Sequence, residues 1–94
     1  MSMELKDKTI IITGASQGLG KELSYQVARL GATVALVARQ ENLLRAVKKQ
    51  ITGEGGKAEY FVCDVSDAAQ VKETVRTVIE KFGIVDILVN NAGV

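Results

Sequence analysis

The apolar residues of this chain change their spacing repeatedly, and that alternation limits the possible folds more than any other feature. Thr9-Ile10-Ile11-Ile12-Thr13 is a short β-branched run ending in glycines, the pattern of a strand buried on both faces. Over residues 19–30, Leu19, Leu23, Val27 and Leu30 recur at helical spacing, and Gly31 supplies a stop. A second buried-strand run covers residues 33–37. Residues 40–52 return to helix, with Leu44, Val47 and Ile51 on one face and glycines closing it. Residues 58–63 read as a third strand. A third helix carries Val71, Val75, Val78 and Phe82, with Ser66 suited to its N-cap, Asp67 to its first turn and Gly83 to its end. Residues 85–89 form a fourth strand. Helices inserted between buried strands require parallel pairing and right-handed crossovers, so the expected class is α/β, ordered β-α-β-α-β-α-β.

The 94 residues allow one small domain, residues 1–94, with no linker, repeat or low-complexity stretch to divide it. Twelve Lys and Arg against eleven Asp and Glu leave a charge of +1, so there is no basic field for nucleic acid. The chain contains no His, which removes imidazole nucleophile pairs, metal ligands and general bases together. Its single cysteine, Cys63, excludes an internal disulfide and a cysteine zinc site, so no metal is expected. The polar first residues do not read as a signal peptide, and the apolar runs are too short to span a bilayer. The expectation is a cytoplasmic protein with neither membrane nor nucleic acid as partner.

Thr13-Gly14-Ala15-Ser16-Gln17-Gly18-Leu19-Gly20 joins the first strand to the first helix. That context suits a phosphate-binding turn. Gly14 permits a sharp bend, Gly18 leaves room for a pyrophosphate to reach the backbone, and Gly20 permits close helix–sheet packing. The helix N-terminus then offers free N–H groups and partial positive charge to the anion. A P-loop is the competing reading of Gly20-Lys21. It fails because five residues separate Gly14 from Gly20 where four are needed, and Glu22 replaces the Ser or Thr that meets Mg²⁺.

Three motifs now stand in order: the Gly14/Gly18/Gly20 turn, Asp64-Val65 after the third strand, and Asn90-Asn91-Ala92-Gly93 after the fourth. Together they resemble the short-chain dehydrogenase/reductase family over the whole chain. The resemblance implies a Rossmann-type sheet, of which these are the first four strands in spatial order 3-2-1-4, binding a nicotinamide dinucleotide. It implies cofactor contacts from Gly14, Ser16, Gln17, Gly18, Leu19 and Gly20. It also gives Asp64 and Val65 to the adenine, and Asn91, Ala92 and Gly93 to the cofactor lining, with Asn90 mainly a tie within the sheet.

The end of the second strand separates the two nicotinamide cofactors. An acid there accepts from the ribose hydroxyls of NAD, whereas Arg pairs with the 2′-phosphate of NADP. By the family's pattern that acid position falls on Ala38, which bonds no hydroxyl, and Arg39 follows with paired donors suited to a phosphate. Ser16 is placed to add a hydroxyl. The expectation is NADP in preference to NAD, with Glu41 as the residue that could repel the phosphate or pair with Arg39.

Family catalysis requires Tyr-x-x-x-Lys. Here Tyr25 is followed four residues on by Arg29, and Tyr60 by Asp64, so no catalytic residue is assigned. Two readings remain. One is the NADP(H)-binding half of an oxidoreductase acting between a carbonyl and an alcohol, with the catalytic half absent. The other is a stand-alone, non-catalytic dinucleotide-binding module. In either, the fourth strand lacks a fifth beside it, and residues 85–94 hold no Pro, Lys or Arg to block pairing. A homo-oligomer joined through that open edge is therefore expected.

Overall fold

The computed structural model describes residues 5–91. Four strands, β1 (Thr9–Thr13), β2 (Thr33–Ala38), β3 (Lys57–Val62) and β4 (Ile87–Val89), alternate with helices α1 (Gly18–Arg29), α2 (Glu41–Gly53) and α3 (Ala68–Phe82). They form one sheet in the order β3-β2-β1-β4, and every adjacent pair is parallel. The expected Rossmann-type arrangement of four strands is what the chain adopts.

The unbroken apolar run of β1 follows from burial on both faces. Ile10 and Ile12 join Val34 and Leu36 of β2 beneath Val27 and Ala28 of α1 and Leu44, Val47 and Ile51 of α2. Ile11, Ala35 and Val37 face the opposite way, toward Cys63 and Val78. Cys63 is thus a packing residue.

Several local expectations shift. The buried stripe of α1 is Gly20, Ser24, Val27 and Ala28 rather than Leu19, Leu23, Val27 and Leu30. Small residues let this helix lie close to the sheet. Ser24 satisfies its own hydroxyl by donating to the Gly20 carbonyl at 2.7 Å. Leu19 is left 69% exposed beside the glycine turn. The cap of α3 is Asp67, whose carboxylate accepts from the N–H groups of Ala69 and Gln70. Ser66 is drawn off instead to Asp64, to whose Oδ1 both its hydroxyl and its N–H donate. β4 begins at Ile87 rather than at residue 85 because Asp86 ties off its start: the Thr9 N–H donates to the Asp86 carboxylate at 2.8 Å, and the Asp86 N–H to the Thr9 carbonyl at 2.9 Å.

α3 buries only Val78, with Val71, Val75 and Phe82 half covered. Beside it an apolar groove of about 350 Å³ runs over Ile11 and Val37 toward Leu88, which is 59% exposed. β4 hydrogen-bonds to β1 on one side and, among the described residues, to no strand on the other.

Candidate functional site

Parallel pairing brings the C-terminal ends of all four strands to one edge of the sheet. Thr13 lies opposite Val37, Ala38 opposite Val62, and Ile12 opposite Val89. β1 has β2 on one side and β4 on the other, so the strand order reverses beside it. That reversal opens the crevice in which sheets of this kind bind ligands.

The glycine turn lies in the crevice. Gly14 and Gly18 have φ of 65° and 62°, left-handed backbone that costs an L side chain strain. A Cβ on Gly18 would meet nothing within 4 Å, so the backbone there is open to an approaching group. Gly20 is the reverse case. A Cβ on it would collide with the Gly14 carbonyl and come within 2.8 Å of the Asn91 amide nitrogen. Gln17, the N-cap of α1, makes no side-chain cap hydrogen bond, and the first turn carries no acid. The end of α1 therefore presents uncapped donors and uncompensated positive potential to the crevice. The turn is pinned from below by the Ala15 N–H, which donates to the Val37 carbonyl at 3.2 Å.

Beyond the turn a groove of about 340 Å³ runs between the ends of β2 and β3, lined by Ser16, Gln17, Ala38, Arg39, Gln40 and Asp64 among others. Arg39 reaches across it, its guanidinium 3.9 Å from Asp64 Oδ2 and its side chain 69% exposed. At that separation in solvent the pair is weak and readily exchanged for another anion. Hydrogen bonds from the Ser66 hydroxyl and N–H, with the Arg39 charge added, hold the Asp64 carboxyl below its ordinary range. Asp64 thus serves the local turn through Oδ1 and faces the groove through Oδ2. Val65 also lines the groove. Ser16 donates to Gln40 Oε1 at 3.2 Å, a partner sequence reasoning missed because 24 residues separate them. Glu41 turns away from Arg39, toward Arg45 and Tyr60.

On the other side of β1, Thr13 organises the turn after β4. Its hydroxyl accepts from the Asn91 N–H at 2.9 Å and donates to Asn90 Oδ1 at 3.1 Å. The Asn91 amide donates to the Gly14 carbonyl at 3.4 Å. Asn90 and Asn91 thus join the strand ends, and Asn91 reaches the glycine turn. Ala92 and Gly93 lie outside the described residues. Thr13 opens the glycine-turn motif in sequence, but its role as a tie was not legible there because only pairing of β1 with β4 sets it beside Asn90. Among the described residues no group of acids and cysteines is arranged to hold a metal ion.

Fold and site together define a Rossmann-type parallel α/β sheet with its glycine turn after β1, at the edge where the strand ends meet. The short chain dehydrogenase family profile matches residues 8–94, and the chain belongs to that family. It is 40% identical to the 3-oxoacyl-[acyl-carrier-protein] reductase FabG of Thermotoga maritima over 92 residues, covering 98% of this chain and 37% of that protein. A metagenomic short-chain oxidoreductase solved in complex with NADP superposes with a TM-score of 0.91 at 40% identity, over 96% of this chain and 41% of that one. L-Sorbose reductase from Gluconobacter frateurii, solved with NADPH and L-sorbose, gives a TM-score of 0.94 at 36% identity, over all of this chain and 36% of that one. The chain spans between 30% and 37% of the length of the first curated relatives it matches.

Proposed function

We propose that this chain is the NADP(H)-binding half of an oxidoreductase that moves hydride between nicotinamide and a carbonyl or alcohol, with the catalytic Tyr and Lys lying outside these 94 residues. The observation that carries the reading is the convergence of Ser16 and Arg39 on one groove whose strand-end position, Ala38, has no carboxylate.

The residues present fit such a cofactor. Gly18 leaves its backbone uncovered, Gly20 admits the Gly14 carbonyl and Asn91 amide where any Cβ would intrude, and α1 starts without a side-chain cap. These groups would hold the pyrophosphate, with Leu19 and Asn91 lining its path and Gln17 at the helix start, and the family resemblance gives Ala92 and Gly93 to the same lining. Arg39 would take the 2′-phosphate, with Ser16 exchanging its Gln40 acceptor for that phosphate, and Asp64 and Val65 the adenine. Bound there, the cofactor supplies the hydride; this chain's part is to orient it. The NADP and NADPH complexes of the two similar structures support the reading.

No helix among the described residues is long and apolar enough to cross a membrane. With a single buried thiol, the chain suits a reducing, cytoplasmic setting. For these 94 residues on their own, the expected occupant of the open side of β4 is a second copy of the chain. Calorimetric titration with NADP and NAD tests the cofactor assignment. Tighter NADP binding is expected, and equal affinities would overturn it.

A further inference from the structure

Glu41 stands two residues beyond Arg39 and opens α2, where its charge would oppose an anion bound at Arg39. Its carboxylate is held elsewhere. Oε2 accepts from the Tyr60 hydroxyl at 2.9 Å and faces the Arg45 guanidinium at 3.4 Å, one helical turn along α2. The Tyr60 ring packs against the core beneath α1 and α2, and Lys48 sits 5.8 Å from its centroid. The hydroxyl is therefore a fixed hook. Lys48 is itself committed to Glu59 at 2.6 Å, so Arg45 is the cation closest to Glu41 among the ion pairs here. Tyr60 and Glu41 beside it raise the Arg45 pKa above its ordinary value.

We propose that Tyr60 and Arg45 are specificity-determining positioning residues: they hold the Glu41 carboxylate away from Arg39, so that Arg39 meets the cofactor's 2′-phosphate without opposition from Glu41. This rests on the NADP reading above. A released carboxylate acts within a Debye length of the phosphate, where like charges repel. Loosening Glu41 therefore weakens NADP more than NAD, which lacks the 2′-phosphate, a difference that general damage to the domain does not produce.

The test titrates NADP and NAD into the parent chain, Tyr60→Phe, Arg45→Gln, and each of these combined with Glu41→Gln. Tyr60→Phe keeps the packed ring and removes only the hook. The preference for NADP is expected to fall about three-fold in each single variant, the size of an exposed ion-pair effect, and to return when Glu41→Gln is added. A preference unchanged in both single variants, equal weakening of both cofactors, or a loss that Glu41→Gln does not restore would overturn the inference alone. A parent chain with no NADP preference would overturn the cofactor reading and this inference with it.

Discussion

The amide nitrogen of Asn91 lies 2.8 Å from the point that a Cβ on Gly20 would occupy, so the turn after β4 fits into space that α1 leaves vacant. The two residues are far apart in sequence, and the same vacancy takes the Gly14 carbonyl. Gly20 is thus a packing requirement shared by three segments, whereas Gly18, with nothing near it, is a conformational one.

Gly20→Ala forces a Cβ against the Gly14 backbone carbonyl, which no side-chain rotation relieves. Overpacking of this kind costs about 1–3 kcal/mol. Chemical denaturation should show that loss, together with weaker dinucleotide binding. A variant as stable as the parent would contradict the close contact.

Arg39→Ala removes the exposed guanidinium that faces Asp64 across the groove. Losing charge-assisted bonds to a phosphate should weaken NADP by about ten- to a hundred-fold and leave NAD nearly unchanged. An unaltered NADP constant would remove Arg39 from the site.

The chain alone should not oxidise NADPH with ketones or aldehydes. Proton transfer by a positioned acid typically supplies about 10²–10⁴-fold, and neither Tyr25 nor Tyr60 is followed by the Lys that the family pairs with its acid. Turnover above background from a contaminant-free preparation would refute this.

Ile87 and Leu88 lie exposed on β4, whose outer side pairs with no described strand. An open apolar edge of this kind recruits another strand, so the chain should sediment as a dimer or larger assembly at micromolar concentration. Ile87→Lys should shift it toward monomer. A well-folded monomeric parent, or an assembly indifferent to Ile87→Lys, would refute the edge contact.

Glu59 on β3 accepts from Lys48 of α2 at 2.6 Å and lies 3.7 Å from Lys81 of α3, so one carboxylate clips helices from both faces of the sheet. The Lys48 hydrogen bond is the main cause of its lowered pKa. A depressed carboxyl pKa adds stability that is present above the unfolded-state value and is lost as pH falls through the folded one. Stability should therefore decline on acidification below about pH 4.3, the unperturbed glutamate value. Glu59→Gln should flatten that decline. An acid limb identical in the two proteins would show that the clip contributes nothing.

The spatial order 3-2-1-4 of the strands came from the resemblance to the family. Alternating apolar periods and the placement of glycines were enough to determine the strands, the helices, their parallel pairing and the glycine turn after β1. Each of those depends on local backbone preference and on which residues must leave water. The buried stripe of α1 was legible only in part. Sequence points to Leu19 and Leu30, yet packing chose Gly20, Ser24 and Ala28, because close approach to the sheet favours small residues over large ones. The partners in and beside the crevice were decided by tertiary structure alone: Thr13 with Asn90 and Asn91, Ser16 with Gln40, and, outside the groove, Glu41 with Tyr60. Those pairs join residues 19 to 78 positions apart, and no local pattern records them. They exist because parallel pairing brings the strand ends to one edge, where each polar group bonds whatever the neighbouring strand presents.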